Sequence, residues 1–430
     1  MHDLKGKRLL LLGSSVWKDI IRKFAIEYDV KLIFAGLYPA PLDEIADEFY
    51  RIDTTNAEVM IPFIKEHKID GIYMGGSEFI ISSTCHYINQ LKYPCYCTKE
   101  QWDLLQDKAK FKELCIKHQL PVVPRYQIDS NDIEGSVPFD AYPVITKPTD
   151  GSGSNGFSVC HNPQELIEGY KKAEADSPTK SVICEKFVNN QGVVVFYSFT
   201  NGEMVYTLME DKYPVKYEKQ GSYVGGLFLC ESEFSREFRN KYEDNIRQMF
   251  KSIGIKEGTI WIEIFKENQN YYFNEVGFRH GGSYSFYTVD YMSGINQMYA
   301  DLYYALTGES KLFGFTSLVP QNVNRKKKYC IYPIHMNAGT IANIEGIEEI
   351  RSWENCVFFP ISKNIGDTIK ETGSWGQCVA LIHFTYDTFE ECKRIIDNVH
   401  NTFKVMDESG NNLVNRMLDF NLISNNNDVK

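Results

Sequence analysis

No stretch of this sequence is apolar for long enough to cross a bilayer. The leucine run Leu9–Leu12 ends at Gly13, too short for the apolar core of a secretory signal. Positive charge is also in deficit. Lys and Arg number 46 against 57 Asp and Glu, a net charge of −11, so no domain-wide cationic stripe is available to neutralise nucleic-acid phosphates. The one basic run, Arg325-Lys326-Lys327-Lys328, lies between two candidate domains and reads as a solvated linker. The eleven cysteines form no paired C-x-x-C units, and the close pair Cys95-Tyr96-Cys97 reads as packing. No zinc or disulfide framework is indicated, and reduced thiols point to a cytoplasmic protein, while the charge and the short apolar runs lead us to expect neither nucleic-acid nor membrane partners. Internal repeats are absent, and so is the M-K-M signature of a biotin carrier.

A chain of 430 residues, 43% of them hydrophobic, has core enough for roughly two to four domains. The first hundred residues alternate buried strands ("KRLLLLG", "VKLIFAG", "GIYMGG") with helical periodicity ("SVWKDIIRKFAIEY", "AEVMIPFIKEHK"). This β-α-β rhythm predicts a parallel, Rossmann-like half domain. Lys99 to Gln119 reads as a helix pair. Residues 122–230 are strand-rich, interrupted by a helix over Pro163–Ala175. A long amphipathic helix comes next over Glu233–Ile253, then a hairpin, then a helix near Asn296–Leu306. The last hundred residues read as strands plus the helix "TFEECKRIIDNVHNTF".

The stretch "VITKPTDGSGSNGFSV" spells G-x-G-x-x-G through Gly151, Gly153 and Gly156. A dinucleotide fingerprint needs a helix opening on that loop. The segment "GFSVC" at its end reads as a strand instead, so the glycines join two antiparallel strands. Lys147, on the strand before the loop, is a point charge suited to phosphates. The loop's backbone N–H groups could close over them.

A second constellation is "GTIWIEIFKENQNYYFNEVGFRHGGSYS", Gly258–Ser285. Two strands flank the turn residues Asn268-Gln269-Asn270, and each strand carries one acid, Glu263 and Glu275. A three-residue loop at 268–270 places the two acids opposite one another on one face. A two- or four-residue loop separates them. Facing carboxylates about 5 Å apart repel unless a cation lies between them, and such oxygen-rich sites suit Mg²⁺ with substrate phosphates. Arg279 comes four residues after Glu275, where it could stabilise charge developing in phosphoryl transfer. His280 reads more readily as structural than catalytic. "VICEKFV", Val182–Val188, is a strand running into a linker, and Asp107-Lys108 opens a helix with a further lysine.

In their order and spacing these segments resemble the ATP-grasp superfamily over about residues 1–320, particularly its carboxylate–amine ligases and the ATP-binding domains of biotin carboxylase and carbamoyl-phosphate synthase. The resemblance implies a mixed α/β and α+β fold. It consists of a Rossmann-like pre-ATP-grasp domain (1–100), a two-subdomain ATP-grasp domain (101–320, with a nucleotide lid subdomain near 122–187) and a small α+β C-terminal domain (329–425). It implies ATP as the nucleotide and Mg²⁺, or alternatively Mn²⁺, as the metal. Lys108 and Lys147 look like the two nucleotide lysines, and Gly151, Ser152, Gly153, Ser154 and Gly156 like the phosphate lid. Glu185, Lys186, Phe187 and Val188 resemble the adenine-reading linker, Glu263 and Glu275 the metal ligands, and Arg279 the arginine of the family's E-x-N-x-R pattern. Two positions depart from that pattern. The asparagine two residues after the second glutamate is Gly277 here, and the ribose-binding acid falls near Val193-Val194.

The implied activity is a ligase that activates a carboxylate as an acyl phosphate and joins it to an amine, releasing ADP and phosphate. The expected partners are small-molecule carboxylate and amine substrates, with room for a homodimer. A carboxyphosphate-using enzyme and a nucleotide-binding scaffold that has lost turnover stand as alternatives. The Tyr-rich segment 210–226 is expected to be a substrate-shaping loop.

Overall fold

The computed structural model describes residues 3–13, 17–150, 156–188, 191–217, 222–420 and 423. Its N-terminal unit is a parallel sheet in the order β3-β2-β1-β4, with β1 (Arg8–Leu12), β2 (Lys31–Ala35), β3 (Glu48–Tyr50) and β4 (Gly71–Tyr73). Leu9 to Leu12 are all buried, the continuous apolar run of a strand covered on both faces. Helices α1 (Lys18–Tyr28), α2 (Ala57–Glu66) and α3 (Glu78–Gln90) accompany the strands. This is the expected Rossmann-like arrangement.

Two short helices lead out of this unit. Helix α4 (Lys99–Gln106) is opened by a capping box between Thr98 and Gln101, and α5 (Lys108–Lys117) by Asp107, whose carboxylate accepts from the N–H groups of Ala109 and Lys110. Asp107 thus ends one helix and starts the next, and Lys108 occupies the first turn of the second.

A small antiparallel sheet comes next in the order β5-β8-β6-β7, with β5 (Arg125–Tyr126), β6 (Val144–Pro148), β7 (Ser158–Cys160) and β8 (Val182–Lys186). Helix α6 (Pro163–Asp176) backs it through Leu166, Gly169 and Ala173. Strands β6 and β7 pair antiparallel, Val144 against Cys160 and Thr146 against Ser158, so the glycine loop joins two strands. Its residues Gly151, Ser152, Gly153 and Ser154 lie outside the described residues. Gly156, at φ +70°, is described, and a Cβ there would fall 2.8 Å from the Pro148 ring. Only glycine fits that return turn.

The largest sheet has nine strands among the described residues. It contains β9 (Gln191–Thr200), β10 (Glu203–Tyr217), β11 (Ser222–Cys230), β12 (Gly258–Glu267), β13 (Asn270–Gly277) and β14 (Lys328–Met336). The order β13-β12-β9-β10-β11-β14 continues into the strands Cys378–Tyr386 and Cys356–Phe358. Helix α7 (Ser235–Ser252) lays Phe238, Tyr242, Ile246, Met249 and Phe250 on one face, against Tyr271 and Phe273 of β13. Two further helices, α8 (Ser285–Ser293) and α9 (Gln297–Thr307), complete this region.

Three expectations change and one, the basic run, is refined. The C-terminal segment does not begin a sheet of its own, because β14 pairs with β11 (Phe228 with Ile331) and extends the central sheet across the expected 320/329 boundary. The segment 210–226 is mostly strand, the end of β10 and the start of β11, with residues 218–221 outside the described set. The basic run is exposed at Arg325, Lys326 and Lys328, as expected of a solvated segment, and is also tethered. Arg325 donates to the Asp290 side chain and backbone, Lys327 pairs with Asp387 at 3.0 Å, and Lys328 opens β14. Helix α8 went unforeseen, since its aromatic, β-branched sequence has low helix propensity and is held by packing. No helix among the described residues is long and apolar enough to cross a membrane, and all eleven cysteines are free.

Candidate functional site

A cleft of about 890 Å³ lies between the small sheet, the large sheet and the helices α3 to α5. Lys108, Lys147, Glu263, Glu275 and Arg279 all line it, together with Lys186, Phe187 and Val188. Residues far apart in sequence therefore converge on one cavity.

The two acids face each other, but by a different route from the one expected. The β12–β13 turn has two residues, Asn268-Gln269, because Glu267 pairs with Asn270. That register alone would separate the acids. A β-bulge between Glu263 and Ile264 inserts Asn274 as an extra residue and brings Glu263 opposite Glu275. The bulge restores the shared face that a three-residue loop would have provided.

Each acid is held by a lysine. Lys212 Nζ donates to Glu263 Oε2 at 2.5 Å, and Lys108 lies 3.4 Å from Glu275. Burial alone would raise the Glu275 carboxyl, but Lys108, Lys147 and Lys212 together hold it below the ordinary carboxylate value. The lysines thus favour the ionised form of Glu275. Among the described residues no group of three His, Cys, Asp or Glu is gathered to hold a metal. The oxygen donors present here are the two carboxylates, the ligand type that Mg²⁺ takes together with phosphate oxygens and water.

Lys147 is buried, donating to Asn274 Oδ1 at 2.9 Å and paired with Glu185 Oε2 at 3.0 Å. The other Glu185 oxygen accepts from the fully buried Lys112. Burial would raise the Glu185 carboxyl; Lys147 and Lys112 bring it below its ordinary value. Burial and repulsion from Lys147 pull Lys112 down, against the attraction of Glu185. Glu185 therefore anchors two lysines, a role its sequence context did not show. The N–H groups of Lys186 and Phe187 donate to the Pro124 and Pro143 carbonyls, while both residues and Val188 line the cleft.

Arg279 is clamped by Glu78, the first residue of α3, through Nε at 3.0 Å and Nη2 at 2.5 Å, both to Oε1. Its guanidinium lies over the Trp261 ring. His280 Nε2 contacts Asp301 Oδ2 at 2.8 Å, and the ring packs edge-on against Trp17. The sequence reading missed Asn274, Lys212, Lys112, Glu78 and Trp261. A lysine beside two acids in a strand, "EDKY", and an asparagine within an apolar strand, "YFNEV", are the local signals that could have singled out two of them.

The arrangement is thus a small antiparallel sheet facing a large one across a lysine-lined cleft that also holds two opposed carboxylates. The fold matches that of ATP-grasp ligases. Residues 107–196, from the Lys108 helix into β9, match the family model "Carbamoyl-phosphate synthase L chain, ATP binding domain". The formate-dependent phosphoribosylglycinamide formyltransferase of Prochlorococcus marinus is 22% identical over 278 residues, 63% of this chain and 69% of that protein. The L-amino acid ligase of Bacillus licheniformis superposes with a TM-score of 0.73 at 18% identity, covering 94% of this chain and 99% of that one. The biotin carboxylase domain of the Hydrogenobacter thermophilus 2-oxoglutarate carboxylase, in complex with MgADP and bicarbonate, gives 0.72 at 16% identity over 95% and 91%.

Proposed function

We propose that this protein is an ATP- and Mg²⁺-dependent carboxylate–amine ligase. The observation that carries the reading is the convergence of Glu263, Glu275, Lys108, Lys147 and Arg279 on a single cleft. A carboxylate oxygen of the substrate attacks the γ-phosphorus of ATP, giving an acyl phosphate and ADP. The amine nitrogen then attacks the acyl carbon, expels phosphate, loses a proton and leaves an amide. Lys147 and Lys108 hold the phosphates, and Arg279 stabilises the oxyanion of the tetrahedral intermediate. Glu263 and Glu275 would hold Mg²⁺, which when bound neutralises β- and γ-phosphate charge.

The test measures ADP and phosphate release from Mg-ATP against a panel of amino acids and other carboxylate–amine pairs. Release that requires both substrates and is lost in Glu275→Gln supports the ligase. ATP binding without turnover for any pair would instead indicate a scaffold. The likeness to a carboxylase domain seen with bicarbonate keeps a carboxyphosphate enzyme as the second reading, and bicarbonate-dependent release would select it. A cytoplasmic setting is supported by the eleven free cysteines. A homodimer is supported by the dimer of that carboxylase domain and is checked by light scattering.

A further inference from the structure

The β-bulge brings two successive side chains of β13, Asn274 and Glu275, into the cleft lining. Asn274 is 5% exposed, and both ends of its amide are engaged. Oδ1 accepts from Lys147 Nζ at 2.9 Å, and Nδ2 donates to Glu263 Oε1 at 3.0 Å. The partners fix the orientation of the amide, since an ammonium can only donate and a carboxylate only accept. The result is a continuous chain of polar contacts from Lys112 through Glu185, Lys147 and Asn274 to Glu263 and Lys212.

The neighbouring seat for an amide is closed. Gly277 stands opposite Trp261 in the β12–β13 register, and a Cβ at 277 would fall 2.1 Å from the indole Cε2. No side chain can enter the site from that position while Trp261 keeps its place. Asn274, one residue before Glu275, is the amide that this chain does place beside its two acids.

We propose that Asn274 is the positioning residue that couples the phosphate-binding lysine, Lys147, to the cation-binding carboxylate, Glu263, so that metal and nucleotide phosphates reinforce each other's binding. The inference rests on the ATP and Mg²⁺ reading above. A neutral amide suits this role. It orients Glu263 Oε1 without neutralising it, as a second lysine would, and it holds Lys147 clear of full capture by Glu185. Removing it leaves Glu263 oriented by Lys212 alone and Lys147 by Glu185 alone.

The experiment is a set of equilibrium titrations of the full chain with a fluorescent ADP, in EDTA and with Mn²⁺ as the metal probe. Bound Mn²⁺ is followed separately by electron paramagnetic resonance. The quantity read is the ratio of the two ADP dissociation constants, a coupling factor. Asn274→Leu and the smaller Asn274→Ser are compared with wild type by circular dichroism, and whichever keeps the native spectrum is used. The expected result is a coupling factor reduced about tenfold or more, the scale of one hydrogen bond to a charged group, so that ADP affinity falls much further with metal than in EDTA, where only the Lys147 contact is lost. A coupling factor equal to wild type in a folded variant overturns the inference. An equal loss of affinity with and without metal also overturns it, because a merely structural residue behaves that way. If wild type binds neither ADP nor Mn²⁺, the functional reading fails and takes this inference with it. If wild type shows coupling and the variants keep it, only the inference fails.

Discussion

Lys147 stands where three demands meet: a buried acid on one side, the Asn274 amide on another and an open cleft in front. The residue is 8% exposed, so its charge is used against partners rather than screened by water. Replacing it with methionine keeps the apolar stem and removes the charge. The expected effect is a KM for ATP raised about tenfold or more, with the native fold retained, measured by initial rates and circular dichroism. Glu210 makes a different kind of prediction at the same scale. Burial pushes its carboxyl up to about 8, against the opposing pull of the Ser285 hydroxyl and Lys212, and Oε1 has no partner among the described residues. Between the ordinary carboxylate value and pH 8 the unfolded chain ionises while the native chain keeps the proton. Stability is therefore lost as pH rises through that window. Glu210→Gln should match wild type in thermal midpoint near the ordinary carboxylate value, about pH 4.5, and exceed it by several degrees at about pH 9. A constant difference across pH would remove Glu210 as the cause.

Among the elements, the β12–β13 hairpin decides most. Its alternating acids were legible in the sequence as two strands and a turn, and so was their potential to face one another. The turn length was not, because Asn268-Gln269-Asn270 suits either a two- or a three-residue connection. A bulge without glycine leaves no local signature. The right pairing was thus expected for the wrong reason, and the extra residue, Asn274, was overlooked. The Trp261–Gly277 cross-strand pair gives the test at this level. Gly277→Asn forces a side chain into the indole and should destabilise the protein by about 1–3 kcal/mol, the usual cost of overpacking. Trp261→Ala in the same chain should relieve much of that loss, because the two changes share one space. Denaturant unfolding of wild type, both single variants and the double variant measures both effects. Simple additivity would show that the ring is not the obstacle.

For the whole molecule, the cleft is assembled from units that lie far apart along the chain. Glu78 comes from the N-terminal unit, Lys147 from the small sheet, and Glu263, Glu275 and Arg279 from or next to the central sheet. A ligand that bridges them binds only the assembled state, so it must stabilise that state by mass action. At about a hundred times its dissociation constant this amounts to about 2.7 kcal/mol. ADP with Mg²⁺ should raise the thermal midpoint by a few degrees, and EDTA should abolish most of the rise. A rise insensitive to EDTA would remove the two glutamates from the metal assignment.

Sequence alone determined what is local. Apolar runs and their period set the strand and helix types, the Asp107 and Thr98 caps set helix starts, and the strand after Gly156 ruled out a dinucleotide turn. It also marked charged residues embedded in apolar strands as candidates, since such burial requires a partner. Tertiary structure decided which partner each of them has. Lys112 meets Glu185 across 73 residues and Arg279 meets Glu78 across 201. It also decided that Glu185 serves two lysines and that the C-terminal strands extend the central sheet. Pairings of that kind depend on how distant segments close on one another, and a local pattern of side chains carries no information about that closure.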